Sequence, residues 1–246
     1  MNSTSIVVGN LTLHVEQQGQ GDPLLLLHGF TGCGADWAPF TERLATKRAL
    51  IIPDLRGHGR STNPGGTFTH GECARDISAL LDQLGCAQVD AIGMSAGAKT
   101  LLHLATAEPS RVRQMILVSA APYYPPGARE LMRQFSDAAR SEEEWQFMRS
   151  RHPQGDAQIR ALWAQGRIFA EDSADMNFTP PRLGAITADT FLVHGDRDPF
   201  YPVSLALEMY KAIPTSRLWV IPDAGHVPIY GEWQAAFLEA AVRFFR

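Results

Sequence analysis

Cysteine is scarce in this chain of 246 residues: there are three, Cys33, Cys73 and Cys86, an odd number without C-x-x-C spacing. That argues against a disulfide framework and supplies no zinc ligand set, and it suits a reducing compartment. Long apolar runs are missing as well. No stretch approaches the roughly 18 residues of a spanning helix, and the N-terminal M-N-S-T-S-I-V-V-G-N has no basic region leading into an apolar one. We therefore expect a soluble cytoplasmic protein that does not associate with membranes. Lysine and arginine do not cluster and the net charge is −4, so nucleic acid is not an expected partner and a small-molecule substrate is. The Gly-rich stretch from Pro53 to Ser61 lacks the Lys-Ser/Thr ending of a P-loop, and no metal or organic cofactor is indicated. With no internal repeat, 45% hydrophobic and 20% charged residues, the composition fits one globular α/β domain that buries its own core.

The most informative stretch is V-D-A-I-G-M-S-A-G-A-K-T-L-L-H-L, Val89 to Leu104. Its apolar period changes from strand-like to helix-like across Ser95, which predicts a strand, a sharp turn and a helix. A turn that tight strains its central residue and leaves no room for side chains two positions away, which Gly93 and Gly97 satisfy. The serine hydroxyl then stands above the strand end, with backbone N–H groups of the helix N-terminus beneath it.

Other segments alternate in the same manner. Ser5–Val8 and Leu11–Gln17 predict an antiparallel hairpin about Gly9-Asn10, and the four leucines Leu24 to Leu27 predict a strand covered on both faces. That strand runs into His28-Gly29-Phe30-Thr31-Gly32, where the N–H of Phe30, with that of Ala96, is placed to form a two-donor oxyanion hole. Thr69 to Glu72 offers a capping box for a helix that Gly85 ends. Strands are predicted at Ala49–Ile52, Met115–Val118, Thr190–Val193 and Leu218–Ile221. Val203, Ala206, Leu207 and Tyr210 form the expected inner face of one late helix, and a closing helix turns Phe237 and Phe244 inward. A doubly wound, mostly parallel sheet follows, with residues 1–121 and 186–246 as its core. Between them, residues 122–185 break the alternation and predict a helical lid, with Asp156 capping the helix that holds Ile159, Leu162, Trp163 and Ile168. His28, Met94, Tyr123, Trp145, Trp163 and Phe178 are the candidate pocket residues, although His28 also reads, with His194, as a structural histidine at a strand end.

Three strand ends present Ser95, an aspartate (Asp196 or Asp198) and His226. A serine hydroxyl is a poor nucleophile until a base takes its proton and a carboxylate fixes that base in the right tautomer. Taken together, the His28-Gly29-Phe30 turn, the Gly93–Gly97 elbow, the Gly195–Asp198 loop and the Gly225-His226 loop resemble the α/β-hydrolase family in the right order along the chain. The resemblance implies Ser95 as nucleophile, His226 as general base and acid, Asp198 as orienting carboxylate, and Phe30 and Ala96 as oxyanion donors. Ala98 departs from the second glycine of many relatives, without touching the mechanism. The activity implied is hydrolysis of a small ester or related acyl compound through an acyl-enzyme. Family members with the same triad also hydrolyse carbon–carbon bonds or, like the menaquinone-pathway synthase, catalyse an elimination. A non-catalytic ligand receptor on this fold is disfavoured by a complete triad.

Overall fold

The computed structural model describes residues 2–138 and 140–246. Among them, eight strands build one sheet: β1 (Asn2–Val8), β2 (Leu11–Gln18), β3 (Asp22–Leu27), β4 (Arg48–Pro53), β5 (Val89–Met94), β6 (Val112–Val118), β7 (Asp189–Gly195) and β8 (Ser216–Ile221). Their order is β1-β2-β4-β3-β5-β6-β7-β8. The β1–β2 hairpin is antiparallel and joins β4 antiparallel, whereas β4, β3, β5, β6, β7 and β8 run parallel. The helices are α1 (Ala38–Leu44), α2 (His70–Gln83), α3 (Ala96–Ala107), α4 (Pro126–Arg133), α5 (Glu142–Arg151), α6 (Asp156–Ile168), α7 (Pro180–Leu183), α8 (Val203–Ala212) and α9 (Gln234–Phe244). None of the described helices is long and apolar enough to cross a membrane.

The leucine run explains why β3 lies inside the sheet. Successive side chains of a strand point to opposite faces, so Leu25 and Leu27 enter the core beneath α2 and α3 while Leu24 and Leu26 enter the other, against Trp37, Phe40 and Phe237. All four are fully buried, each stabilising the fold by about 1.5–3 kcal/mol relative to exposure. Thr69 caps α2 by accepting from the Glu72 amide, and Gly85 beyond its end has φ +70°.

Two local expectations are corrected. The inner face of α8 is Leu205, Ala206 and Met209, whereas Leu207 and Tyr210 are 40% and 43% exposed. Residues 203 to 210 carry apolar side chains on both sides of the helix, and contact with the sheet selects the other stripe. In α6 the N-cap is Gly155, at φ +95°, and Asp156 instead pairs with Arg149 of α5 (2.9 Å). Ile168, at the far end of α6, points to solvent.

The segment between β6 and β7 carries α4 to α7. Its contact with the sheet runs through polar groups as well as through side-chain packing. His152, completely buried after α5, accepts from the Gly59 amide (Nδ1, 2.9 Å) and donates from Nε2 to the Thr31 carbonyl (3.0 Å). The Gln158 amide donates to the carbonyls of Gly57 and Gly59. The Asp54–Ser61 turn is therefore a docking platform for α5 and α6. Asp54 holds that platform in shape by accepting from the amides of Gly34 (2.7 Å) and Arg60 (2.8 Å).

Candidate active site

At the end of β5 the backbone of Ser95 takes φ 50° and ψ −105°, and Ala96 opens α3. A non-glycine residue there costs of order 1–3 kcal/mol, which the surroundings must offset. They do so through hydrogen bonds on both sides: the Ser95 amide donates to Val118 O (2.8 Å) and the Gly97 amide to His28 O (3.1 Å). The second bond ties the elbow directly to the turn that follows β3. Room for the turn comes from the glycines, since a Cβ on Gly93 would lie 2.6 Å from the backbone of Gly97 and Ala98.

The loop after β8 brings His226 to the serine. Ser95 Oγ donates to His226 Nε2 (2.8 Å), and His226 Nδ1 donates to Asp198 Oδ2 (2.8 Å). These two bonds are mutually consistent, because a proton on Nδ1 leaves Nε2 as the acceptor. The other carboxylate oxygen of Asp198 accepts from the amides of Phe200 (2.8 Å) and Tyr201 (3.1 Å). Burial pushes the Asp198 carboxyl up. The hydrogen bond and charge of His226 and the two amides outweigh it and hold the group below its ordinary range. Asp196, the other candidate, makes no contact with His226, and its nearest cation is Arg197 at 3.9 Å. Asp198→Asn should keep this geometry but favour the wrong histidine tautomer, lowering kcat by about 10⁴-fold with little change in KM. Steady-state kinetics of the purified variant check this, and a loss below tenfold contradicts it.

The turn after β3 is tight: the Gly32 amide donates to Gly29 O (3.1 Å) and Thr31 has φ 61°. The amides of Phe30 and Ala96 have no acceptor among the described residues, and both residues line the cavity above Ser95. Two unpaired N–H groups beside a hydroxyl are what a developing oxyanion requires. His28 braces this turn from within: Nδ1 donates to Gly29 O (2.7 Å) and Nε2 accepts from the Leu55 amide (2.9 Å). Burial lowers its pKa to about 4, which keeps the ring neutral and both bonds intact at physiological pH. His194 donates in the same way to Tyr201 O (2.7 Å), fixing the loop that carries Asp198.

Above Ser95 and His226 lies a cavity of about 620 Å³ with mainly apolar walls. Of the pocket candidates read from sequence, Met94 lines it, and the other five do not. His28 is sealed beneath the turn; Tyr123 reaches outward to Glu208; Trp145 and Trp163 pack edge to face on each other (4.6 Å); Phe178 is held between His103 and Arg182. The aromatic walls are instead Phe30, Phe135, Phe147, Phe169, Phe200 and Tyr201. Polar side chains that the sequence does not mark also line the cavity: His70, Tyr124 and Lys99, and the ion pair of Arg151 with Asp36. Lys99 stands one helical turn after Ser95, in a spacing that is legible once α3 is known.

The family model described as alpha/beta hydrolase fold matches residues 22–232, and the chain belongs to that family. It is 28% identical over 244 residues to the serine hydrolase BPHL of Mus musculus, covering 92% of this chain and 80% of that protein. It is 26% identical over 250 residues to 2-hydroxymuconate semialdehyde hydrolase of Pseudomonas putida, covering 90% of this chain and 86% of the relative. Among solved structures, a thermophilic esterase from Thermogutta terrifontis superposes with a TM-score of 0.79 at 27% identity, covering 100% of this chain and 98% of the esterase. The protein is thus an α/β-hydrolase.

Proposed function

We propose that the protein is a serine hydrolase acting on a small ester or related acyl compound. The observation that carries this reading is the unbroken chain from Ser95 Oγ through His226 to Asp198, two bonds of 2.8 Å each, beside the unpaired amides of Phe30 and Ala96. Ser95 Oγ attacks the carbonyl as its proton passes to His226 Nε2. The two amides hold the tetrahedral oxyanion, and Asp198 stabilises the imidazolium. His226 then protonates the departing alcohol, the acyl group stays on Ser95, and a water activated by His226 releases it.

A second reading, carbon–carbon bond hydrolysis by the same residues, draws support from the similarity to the P. putida 2-hydroxymuconate semialdehyde hydrolase. Turnover of p-nitrophenyl esters from acetate to octanoate, beside turnover of 2-hydroxymuconate semialdehyde, separates the two. The ester reading expects serine-dependent hydrolysis with an optimum between about four and eight acyl carbons, set by an apolar cavity of this size. Turnover of the semialdehyde with no ester hydrolysed would overturn it in favour of the second.

A further inference from the structure

Lys99 is out of keeping with its surroundings. It is 3% exposed, and among the described residues no carboxylate comes within ion-pair distance of it. Its Nζ donates one hydrogen bond, to the Tyr201 hydroxyl (2.7 Å), and lies over the rings of Tyr201 (4.6 Å) and Tyr124 (5.1 Å). An ammonium carries three donors, so two remain without acceptors. A buried lysine normally requires a partner, because desolvating an unpaired charge costs several kcal/mol.

The neighbouring groups add donors rather than acceptors. Tyr201 Oη receives the Lys99 proton, which leaves its own O–H to donate. His70, also buried, shares a 2.7 Å hydrogen bond with Tyr124 Oη through Nε2, and its Nδ1 has no partner. Either tautomer of that pair leaves a donor unused: the Tyr124 O–H if Nε2 carries the proton, or Nδ1–H if it does not. All four residues line the cavity that holds Ser95.

We propose that Lys99, Tyr201 and the His70–Tyr124 pair form a subsite for a carboxylate on the substrate, so that the acyl compound hydrolysed at Ser95 is an anion such as a half-ester of a short dicarboxylic acid. The inference rests on Ser95 being the reacting centre. The other cation of the cavity wall, Arg151, is paired with Asp36, which leaves Lys99 to balance one negative charge and favours a carboxylate over a phosphate dianion. Lys99 follows Ser95 by four residues on α3, a rise of about 6 Å, which matches the separation of two functional groups in a C4 to C6 chain.

The subsite is sensitive to pH. Burial lowers the Lys99 pKa to about 7, partly opposed by Asp198 and Asp175. The groups facing the amine are Asp198 and Tyr201 from the loop after β7, Asp175 from the segment before α7, Tyr124 after β6 and His70 at the start of α2. The ammonium form holds the carboxylate, so anion binding is strongest well below pH 7 and declines as pH rises through about 7.

The test is calorimetric binding of monomethyl glutarate and dimethyl glutarate to Ser95→Ala, which blocks turnover, and to the same protein with Lys99→Met or Lys99→Gln. The expected result is a 10–100-fold preference for the monoanion at pH 6, falling to threefold or less in either lysine variant and shrinking in the parent by pH 9. Equal affinity for the two ligands, no binding of either, or a preference that survives both substitutions would overturn the subsite. Melting temperature supplies a second readout. Exchanging an unpaired buried ammonium for methionine should raise Tm at pH 6 by about 2–8 °C, whereas a lysine serving only the fold would lower it on removal. Loss of Ser95-dependent turnover with the preference intact would strike the hydrolytic reading and leave the subsite standing.

Discussion

Ser95→Ala is expected to lower kcat/KM for the best ester by about 10⁴ to 10⁶-fold while the protein melts within a degree or two of the wild type. The two halves of this expectation have separate causes. Activity falls because the substitution removes the hydroxyl whose proton has a path to His226 over 2.8 Å. What persists comes from the oxyanion amides and from binding, neither of which the substitution removes. The fold is unaffected because the elbow is held by backbone bonds, from Ser95 N to Val118 O and from Gly97 N to His28 O, and by the small residues around it. Alanine inherits the same φ of 50°, so the strain is neither relieved nor increased. Kinetics and calorimetry on one preparation test both halves, and an unchanged rate would remove Ser95 from the mechanism.

The largest expected loss of stability belongs to Gly97→Ala. A Cβ at Gly97 would stand 2.6 Å from the carbonyl carbon of Leu27 and 2.7 Å from its Cβ, at the end of a central strand. Neither atom belongs to a flexible side-chain end, so α3 must lift from β3. That movement breaks the bond between Gly97 N and His28 O, and with it the register between the elbow and the turn bearing Phe30. The cost should exceed about 4 kcal/mol, lowering Tm by roughly 8–16 °C or preventing soluble expression. Gly127→Ala is the control: a Cβ there meets nothing within 4 Å inside α4, so it should be neutral or stabilise by up to about 1 kcal/mol. A Gly97→Ala protein as stable as this control would contradict the packing argument.

These two positions also mark what the sequence makes legible. Gly93, Ser95 and Gly97 are readable because a strand must turn into a helix there within a single residue, and few side chains permit it. The succession of strands and helices along the chain from β3 to β8 is readable because continuous apolar runs alternate with amphipathic ones, as Leu24 to Leu27 and α2 illustrate. Lys99 was illegible for a physical reason: a lysine in a helix is ordinarily a solvated one, and only the packing of Tyr124 and Tyr201 around α3 turns it inward. The cavity walls were illegible for another. The segment between β6 and β7 carries aromatic residues on α5 (Trp145, Phe147), on α6 (Trp163) and in the turns around them (Phe135, Phe169, Phe178), and their type does not say which of them meet the site. Trp145 and Trp163 pack on each other, while Phe135 and Phe169 face the cavity. The same ambiguity displaced the inner face of α8 from Leu207 and Tyr210 to Leu205 and Met209.

The central claim is that Ser95 is a nucleophile activated by His226, and covalent trapping tests it most directly. The purified protein is treated with a fluorophosphonate and its tryptic peptides are mapped by mass spectrometry. The account predicts one adduct, on Ser95, that is absent from Ser95→Ala and forms at least about 10³-fold more slowly in Asp198→Asn. Failure of the wild type to label, or labelling of Ser95→Ala at the wild-type rate, would contradict it.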